Sequence, residues 1–580
     1  MAEWIKMATN VNISLMADTL KISPLLAQAL ANRGISSKNT AIRYLKPSRN
    51  FMYSAESMKD IELGWQIIQQ GLKTKARFCV YGDYDVDGVM STVIMLKALR
   101  SFGAECGFYI PDRVSEGYGL NIAAIENIAK EYDILIAVDN GMSAVAEIRR
   151  AKELGLAVVV IDHHEAGAEM PLADAIINTR QADCKYPFDK LCAAGLCYKF
   201  AEYIHMRHNV EFSSADEYLA FAAIATICDV VDLVDENRII AANGLEILQA
   251  GEITNLGLST IMELRNLKGG KIDTYAVGFI LGPCINAAGR LESATIAVRL
   301  FLEGSEEKAQ ELALQLIELN DKRKEICTNA AERIMQDITE PLDKVICVYD
   351  ENIHESIAGI VAGRIKDATG RPTLIFAKSG EVAKGSARSI EKYNVFEEMQ
   401  KCSDILIKFG GHPMAAGASL AAEKIDELKI RLNDACVLTE EDFIPIIYIE
   451  EEIFLDEITY EFAKTLENME PFGKSNKRPV FVIRSIYTRR VERLGKSETA
   501  LRLTFSSKSG RNFSAVCFRQ MDKFLQMLNE NFSPEVAKRF ASGGLKDLTV
   551  PLSIAANVDI NRYKGNSSIQ LNILDFKYEK

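Results

Sequence analysis

Residues 76–103 read ARFCVYGDYDVDGVMSTVIMLKALRSFG, and this stretch contains the pattern that decides the fold. It opens with an apolar run, passes through Asp83, Asp85 and Asp87, and continues with helically spaced apolar residues as far as Gly103. A short apolar run predicts a buried strand, and the period that follows predicts a helix ending at the glycine. The stretch is therefore predicted to be a strand–loop–helix unit with carboxylates in its loop.

The same alternation of apolar runs and helical patterns continues for about another seventy residues. Repeated strand–helix alternation indicates the α/β class, with a mainly parallel sheet and helices on both of its faces. Ligands bind at the carboxyl ends of the strands in such sheets, so we expect functional side chains there. The predicted strands cover 76–83, 106–111, 133–139, 156–162 and 174–178.

The remaining sequence predicts four further parts. A polar–apolar segment at 305–338 predicts one long helix or two stacked ones, and a single helix would span roughly 50 Å at about 1.5 Å per residue. Several short β-like runs near the C-terminus predict a small barrel of the oligonucleotide-binding (OB) type. The expected parts are an accessory helical region (1–75), the first α/β domain (76–245), a helical connector (246–340), a second α/β domain (341–440) and the OB-like barrel (445–580).

Composition excludes several classes of protein. The chain has 580 residues, of which 48% are apolar and 26% charged, as in soluble proteins with several domains. No apolar stretch approaches the roughly 18 to 20 residues that cross a bilayer, and the opening MAEWIKMATNVN lacks the pattern of a secretory signal. The twelve cysteines include no CxxC pair, which favours reduced thiols and a cytoplasmic location.

Charge is distributed unevenly along the chain. Residues 471–580 contain 20 Lys and Arg against 9 Asp and Glu, a net charge of +11, whereas the whole chain carries −12. The basic C-terminal segment indicates either an anionic partner held at that end or a solvated basic face without a partner.

Acidic residues and imidazoles cluster at the predicted strand ends. In one crevice, carboxylates repel each other unless a cation neutralises them, and their mixture with imidazole favours Mn²⁺, with Mg²⁺ or Zn²⁺ as alternatives. Two such ions are a common device for hydrolysing phosphate esters. An EF-hand is rejected because the twelfth position counted from Asp83 is Ile94, where calcium binding needs a glutamate. The segments concerned are Asp83–Gly88, Asp139–Gly141, Asp162–His164 and, on a later helix, Asp229.

Loops of small residues and cations form a second set of candidates. Backbone N–H groups at glycines approach oxyanions closely, and arginine offers a planar fork to phosphate. Each loop alone is equally typical of a plain turn, so their value is in combination with the metal site. The loops are Pro111–Arg113, Asn286–Arg290, Gly385–Ser389 and Gly410–His412.

The motifs together resemble a known family. DYDVDG (83–88), VDNG (138–141), DHH (162–164) and CDVVDLV (228–234) are similar to the metal motifs of the DHH phosphoesterase superfamily. NAAGR (286–290), HESIAGIVAGR (354–364), GSARS (385–389) and GGHPMAAG (410–417) resemble its RecJ branch, with the companion DHHA1 domain. The resemblance implies a 5′-to-3′ exonuclease for single-stranded DNA that uses two Mn²⁺ or Mg²⁺ ions, releases 5′-mononucleotides and acts in DNA repair and recombination.

The resemblance also implies roles for individual residues. Asp139 would bridge the metal ions, Asp83 would assist, and His164 would face the scissile phosphate as a catalytic residue. Tyr118 would stack on bases or separate them. The implied metal ligands are Asp83, Asp85, Asp87, Asp139, His163 and Asp229. The implied substrate-binding residues are Arg113, Tyr118, Asn286, Arg290, His354, Ser386, Arg388, Gly411 and His412.

Three places depart from the RecJ pattern. Ile353 stands where a tryptophan is usual, Asp232 where a proline is usual, and Lys474–Lys477 replaces the end of a Gly-x-Gly-Asn-Pro sequence. None of the three removes an implied metal ligand, but each bears on substrate contacts.

Two other functions stay open at the level of sequence. One is a DHH-type phosphoesterase acting on short oligonucleotides or cyclic dinucleotides, and the other is a catalytically silent scaffold that binds DNA. The expected partners are single-stranded DNA, a single-strand-binding protein and a RecQ-type helicase, with no membrane and a monomeric chain. Aromatic residues of the barrel are candidates for stacking on bases, although most are expected in its core: Phe481, Tyr487, Phe505, Phe513, Phe518 and Tyr563.

Overall fold

The computed structural model describes residues 2–113, 115–251, 253–494, 500–543, 545–563 and 565–579, with the side chain of Tyr563 outside that description. The chain forms two compact units. We call residues 48–443 and 473–475 the larger unit, and residues 1–47, 444–472 and 476–580 the smaller unit. The expected accessory region of residues 1–75 is thus divided between them after Pro47, and the finer domain boundaries stay predictions.

The N-terminal part of the smaller unit is one short strand and three short helices. Side chains that begin the helices accept hydrogen bonds from backbone N–H groups, as N-caps do: Asn12 for the first, Ser23 for the second and Ser37 for the third. The elements are β1 (Glu3–Lys6), α1 (Ile13–Leu20), α2 (Pro24–Ala31) and α3 (Lys38–Leu45).

The larger unit begins with the predicted parallel sheet. Its five strands lie in the order β3-β2-β4-β5-β6 and all pairs are parallel. All five residues of β4 are buried, because helices cover both faces of the sheet. The elements are α4 (Ile61–Thr74), β2 (Arg77–Tyr81), α5 (Val86–Ser101), β3 (Glu105–Tyr109), α6 (Ile122–Glu131), β4 (Ile134–Val138), α7 (Val145–Glu153), β5 (Ala157–Ile161) and β6 (Ala175–Ile177). The prediction of an α/β fold with a mainly parallel sheet is confirmed.

A helical region follows the sheet. It ends in one continuous helix of 32 residues, about 48 Å long at 1.5 Å per residue, so the predicted long connector is a single helix. The helices are α8 (Ala193–Arg207), α9 (Ala215–Cys228), α10 (Asp235–Ala250), α11 (Leu256–Leu264), a π-helical turn (Ala276–Leu281), α12 (Gly282–Leu291), α13 (Thr295–Leu302) and α14 (Glu306–Asp337).

The second α/β domain has a mixed sheet in the order β10-β11-β9-β8-β7, in which β7 and β8 are parallel and the other pairs antiparallel. One face of the sheet packs on α15, and the other on a separate apolar cluster. The elements are β7 (Ile346–Tyr349), α15 (Ala358–Thr369), β8 (Thr373–Ser379), β9 (Val382–Arg388), α16 (Val395–Gln400), β10 (Lys408–His412), β11 (Ala415–Leu420) and α17 (Ile425–Ala435).

The C-terminal part of the smaller unit is a barrel, as predicted. Its strands lie in the order β13-β14-β15-β16-β18-β17, and a further pairing of β14 with β17 closes the sheet. Helices α1 and α2 share the apolar core of the barrel, and β1 pairs with β12. The elements are β12 (Ile446–Ile449), β13 (Glu451–Glu452), α18 (Tyr460–Glu467), β14 (Phe481–Leu494), β15 (Ala500–Ser506), β16 (Asn512–Phe518), α19 (Met521–Asn531), α20 (Pro534–Ala541), β17 (Pro551–Tyr563) and β18 (Asn566–Tyr578).

Two general features complete the description. All twelve cysteines are free thiols. Within the described ranges, none of the helices combines the length and the apolar character that a bilayer crossing requires.

Candidate metal centre

The acidic cluster is built at the carboxyl edge of the parallel sheet. Strands β2, β4 and β5 are neighbours, so the segments that follow them meet at one edge. Asp83 and Asp85 follow β2, Asp139 follows β4 and His163 follows β5. Asp229 lies at the C-terminal end of α9. The sheet therefore brings together residues that are up to 146 positions apart in the sequence.

The first loop is shaped by a glycine. A Cβ on Gly88 would lie 2.5–2.6 Å from the backbone of Asp83, so only glycine lets the start of α5 approach the end of β2 this closely. Asp85 caps α5 by accepting hydrogen bonds from the N–H groups of Asp87 and Gly88. Asp87, on the first turn of α5, accepts hydrogen bonds from the N–H groups of Ala193 and Ala194 at 2.8 Å, at the start of α8. Backbone donors thus fix the orientations of two carboxylates.

His163 lies at the centre of the cluster. Its Nε2 is 3.3 Å from Asp139 Oδ1 and 3.8 Å from an oxygen of both Asp87 and Asp229. Among the described residues, three sets could each hold one metal ion. Within each set, the possible ligand atoms all lie within 4.8 Å of one another. The sets are Asp83–Asp85–Asp139, Asp87–His163–Asp229 and Asp139–His163–His164. Since Asp139 belongs to the first set and contacts His163 of the second, it is in position to join two metal sites.

A cation would stabilise the buried carboxylates of this cluster, which repel one another. Burial, reinforced by neighbouring carboxylates, raises the pKa of Asp87 to about 7 and that of Asp229 to about 8, and raises the pKa of Asp83 and Asp139 well above the usual range. Burial, with the nearby His164, lowers the pKa of His163 to about 3, which leaves its imidazole neutral and able to act as a ligand.

The cluster also leaves buried donor atoms unused. Among the described residues, Asp83 Oδ1 and His163 Nδ1 are buried without a hydrogen-bond partner. Orphaned polar atoms beside a set of carboxylates fit a site for hard or borderline divalent ions such as Mg²⁺ or Mn²⁺, because such ions prefer oxygen and imidazole ligands.

Mn²⁺ is therefore expected to raise the Tm of the protein by about 5 °C at concentrations well above its Kd, because an ion that binds only the folded chain stabilises it by mass action. Differential scanning fluorimetry with and without EDTA measures the shift. Asp229→Asn should reduce it, whereas Asp174→Asn should retain it, since Asp174 immediately precedes β6 at the opposite edge of the sheet and pairs with Lys152. Equal shifts in wild type and Asp229→Asn would contradict the ligand assignment.

His164 is held differently from His163. Its Nδ1 is 2.6 Å from Asp162 Oδ1, and its Nε2 is 3.1 Å from the Tyr118 hydroxyl. The buried Asp162 also accepts hydrogen bonds from the backbone N–H groups of His163, His164 and Met142. Although burial alone would lower the pKa of His164, the Asp162 carboxylate raises it overall. With 46% of its side chain exposed, His164 combines a fixed orientation with access to a ligand.

Asp162 belongs to the segment Asp162–His164 of the predicted cluster, but the sequence analysis assigns it no role. Its carboxylate accepts hydrogen bonds from the backbone N–H groups of both histidines that follow it and contacts the ring of His164. Its position directly before two histidines is the signal that could have identified it, since a carboxylate commonly orients a functional imidazole.

Three arginines form a second, positively charged cluster in the same unit. Burial and the charge of Arg113 lower the pKa of Arg290 to about 10, and the same two causes lower the pKa of Arg388. Arg113 also stacks over the Tyr84 ring at 4.8 Å from its centroid. Mutual repulsion of this kind marks a place where an anion would be stabilised.

Glycines bring these arginines close to the metal cluster. A Cβ on Gly289 would lie 2.5 Å from the Tyr84 carbonyl oxygen, so α12 packs directly on the loop that carries Asp83 and Asp85. A Cβ on Gly359 would lie 2.8 Å from the Arg388 guanidinium, so α15 packs directly on Arg388. Arg290 donates a hydrogen bond to the Ser356 carbonyl at 2.7 Å, which links the two helices.

The remaining predicted substrate residues lie around the arginines or at the edge of the second sheet. Strand register aligns His412 with Ala415 and Arg388, and Gly417 with Ser386. Exposed His354 is hydrogen-bonded to Ser356, and half-buried Asn286 lies one turn before Arg290 on α12. Gly411 has φ +149° and lacks room for a Cβ beside Ala415.

Exposure divides the barrel's aromatic residues. Phe481, Phe505 and Phe513 are buried in the core, whereas Tyr487 and Phe518 are 58% and 62% exposed. The sixth candidate, Tyr563, has its side chain outside the described part of the chain. Two of the six candidates are therefore accessible to bases.

Comparison with known families gives three matches along the chain. Residues 77–226 match the N-terminal domain of the DHH family, residues 342–437 match the DHHA1 domain, and residues 449–575 match the RecJ OB domain. The prediction of a DHH domain, a DHHA1 domain and an OB-like barrel is thereby confirmed.

Two relatives that match most of the chain carry the same description. A protein of Bacillus subtilis is 35% identical over 97% of this chain and 69% of its own length, and one of Haemophilus influenzae is 31% identical over 94% and 95%. Both are described as the single-stranded-DNA-specific exonuclease RecJ.

Solved structures agree with the fold. RecJ of Thermus thermophilus in complex with Mn²⁺ has a TM-score of 0.81 at 24% identity, covering all of this chain and 80% of its own. An exonuclease RecJ bound to manganese has a TM-score of 0.57 at 29% identity, covering 65% of this chain and 94% of its own.

Proposed function

The chain belongs to the RecJ family of single-stranded-DNA-specific exonucleases, and from this premise we propose that it degrades single-stranded DNA in the 5′-to-3′ direction, releasing 5′-mononucleotides in DNA repair and recombination. The observation that carries the proposal is the presence, in one compact unit, of a carboxylate–imidazole cluster with unused donor atoms and a neighbouring cluster of three arginines. The first cluster suits hydrolysis of a phosphodiester, and the second suits capture of a terminal phosphate.

The cluster would hold two Mn²⁺ or Mg²⁺ ions through Asp85, Asp87, Asp139, His163 and Asp229, with Asp83 in support. When bound, such ions lower the pKa of water and neutralise charge on phosphate oxygens. The chain orients these ligands with the backbone donors of α5 and α8 and keeps His163 neutral. A related exonuclease RecJ has been solved with manganese bound.

His164 would serve the leaving group. Water attacks the phosphorus of the first phosphodiester, the bond from phosphorus to the 3′ oxygen breaks, and that oxygen needs a proton as it leaves. Asp162 holds the His164 ring in one orientation and favours its protonated form. His164 is thus suited to donate the proton from Nε2, where the Tyr118 hydroxyl now lies at 3.1 Å.

The arginine cluster would set the direction of digestion. A terminal 5′-phosphate placed among Arg113, Arg290 and Arg388 relieves the repulsion that lowers the pKa of two of them. Ser386 lies on β9 with Arg388, and His412 lies on β10 in register with Arg388 across β11; both would support the same group. With the end held there, the next phosphodiester reaches the metal centre.

Arg388→Gln is accordingly expected to lower kcat/KM about 10- to 100-fold on a 5′-phosphorylated single strand, the loss of one or two charge-assisted hydrogen bonds. On the same strand with a 5′-hydroxyl end the variant should match the wild type. Steady-state rates on both substrates measure the difference, with Arg364→Gln, which lies on α15 and pairs with Thr328, as control. An equal loss on both substrates would argue against recognition of the 5′-phosphate.

The basic segment 471–580 and the exposed Tyr487 and Phe518 would bind the strand through phosphate contacts and base stacking. The preference for single strands, a monomeric state, a cytoplasmic location, and partnership with a single-strand-binding protein and a RecQ-type helicase are parts of the same proposal. Removal of residues 471–580 would not test it cleanly, because α1 and α2 share the barrel's core.

The decisive experiment is a manganese-dependent nuclease assay on a single strand of about 30 nucleotides labelled at its 5′ end. Immediate release of labelled mononucleotide supports the proposal, and loss of label only after digestion from the other end overturns the direction. Comparable rates on a dinucleotide and on the long strand would favour the phosphoesterase for short oligonucleotides, and no cleavage of any substrate would favour the silent scaffold.

A further inference from the structure

Two of the three departures from the RecJ pattern meet in space. The Ser475 hydroxyl donates a hydrogen bond to Asp232 Oδ1 at 2.7 Å, and the N–H of Leu233 donates to the Lys474 carbonyl at 2.9 Å. A Cβ on Gly473 would lie 2.6 Å from a methyl group of Leu233. Residues 473–475 therefore lie directly against the segment that follows Asp229, a proposed metal ligand.

The hydrogen bond between Ser475 and Asp232 holds a strained backbone conformation at Ser475. Its φ is +60°, a left-handed conformation that glycine adopts without strain and serine does not. The family pattern has glycine at position 475 and proline at position 232, and a proline side chain offers no acceptor. In this chain the Asp232 carboxylate supplies the acceptor that holds Ser475 in its strained conformation.

Asp232 forms its closer ion pair with Lys190, and not with Lys474. Lys190 Nζ lies 2.7 Å from Asp232 Oδ2, whereas Lys474 Nζ lies 3.9 Å from Oδ1, beyond hydrogen-bond range. The Lys474 side chain is 57% exposed. Its ammonium is consequently held near the carboxylate and still has donors for another anion.

Lys474 lies at a cavity that adjoins the metal centre. A cavity of about 890 Å³ is lined by Lys474 and Asp232, by Glu165 next to His164, and by Arg180. That volume is at the upper end for small-ligand sites and can hold more than one nucleotide. Asp232 follows Asp229 by three residues and Glu165 follows His164 directly, which places this cavity next to the metal centre.

We propose that Asp232 and Ser475 form a latch that positions Lys474 at the rim of this cavity, where its ammonium binds a backbone phosphate of the single strand on the 3′ side of the scissile bond. This rests on the proposed function: a strand whose 5′ end is held by the arginines must leave the metal centre elsewhere, and the cavity lined by Asp232 carries the exposed ammonium of Lys474. Lys474 is a substrate-binding residue, and Asp232 and Ser475 are positioning residues.

Lys474→Met tests the phosphate contact, because methionine keeps the apolar stem and removes the charge. On a 20-nucleotide strand we expect KM to rise about five- to tenfold with kcat unchanged within twofold, and the slope of log affinity against log salt to fall by about 0.7, the value for one phosphate contact on a single strand. On a 5′-phosphorylated dinucleotide, which has no phosphate beyond the scissile one, the variant should match the wild type. Lys152→Met, at the opposite edge of the sheet, should match the wild type on both substrates.

Ser475→Gly tests the latch, because it removes the hydroxyl and relieves the backbone strain at once. KM on the 20-nucleotide strand should rise about two- to fivefold without a fall in Tm, and the double variant with Lys474→Met should be no worse than Lys474→Met alone. Unchanged KM and salt slope in Lys474→Met, while the wild type degrades the strand, would overturn the phosphate contact and leave the proposed function standing. Additive effects in the double variant would overturn the latch, and a wild type inactive on every strand would overturn the proposed function itself.

Discussion

Asp139→Asn is expected to lower kcat on single-stranded DNA at least about 10³-fold. Asp139 is the residue whose carboxylate belongs to two of the three possible metal-binding sets, and an amide oxygen is a weaker ligand without charge. Its loss would affect both ions together.

The choice of asparagine matters for this experiment. Asp139 has φ +59°, which asparagine tolerates better than alanine does, so Asp139→Asn avoids the backbone strain of an alanine. Burial of the native carboxylate raises its pKa, so replacing it with a neutral isostere should not lower the Tm of the metal-free protein.

Single-turnover rates with Mn²⁺ measure the loss, and fluorescence anisotropy of a labelled strand measures binding. We expect anisotropy to show affinity within about threefold of the wild type, because the arginines and the basic barrel segment are untouched. A variant that folds, binds DNA and keeps more than a tenth of the wild-type rate would contradict the metal assignment.

His164→Ala is expected to lower kcat about 10²- to 10⁴-fold, the range that proton transfer to a leaving group contributes. The structure gives His164 the features of a proton donor: contact with the buried Asp162, a raised pKa and an exposed edge. The increase in Tm on adding Mn²⁺ should persist in the variant if the residue acts on the proton rather than on the ions.

A modified substrate separates the two roles more sharply. A strand with sulfur in place of the 3′ bridging oxygen has a leaving group that needs no proton, so His164→Ala should cleave it at nearly the wild-type rate. Tyr118→Phe is the matched control, since it removes only the hydroxyl that lies 3.1 Å from His164 Nε2 and should change rates on either substrate less than tenfold. A variant equally slow on the sulfur substrate would exclude the proton-donor role.

The sequence predicted the sheet well because its signals are local. Every residue of β4 is buried, so the strand is a continuous apolar run, and the helices between strands show their own period. Apart from Asp229, which ends α9, the acids and imidazoles come soon after the strands, and adjacent parallel strands must place their carboxyl ends together. The composition of the metal cluster could therefore be inferred before any coordinates were available.

Side-chain environment was harder to predict than position. The polar context EYIHMRHN (202–209) favours exposure of His205, on α8, and of His208, at the C-cap of that helix. His205 is instead 4% exposed and stacks near Phe102 and Phe212, and His208 packs near Phe102 and Trp65. Phe102 and Trp65 come from segments more than a hundred residues away, and Phe212 comes from the segment that follows α8, so no pattern within α8 could indicate these contacts.

By itself, then, the sequence determined the α/β class, the helical character of residues 305–338, the small barrel and the chemical types that surround the metal centre, because periodicity and strand ends are encoded by neighbouring residues. Only the tertiary structure decided which backbone donors orient Asp87, that residues 1–47 pack with the barrel, and that Asp232 meets Ser475. Each of these depends on contacts between residues far apart in the chain, whose partners are selected by the packing of the whole unit and not by local spacing.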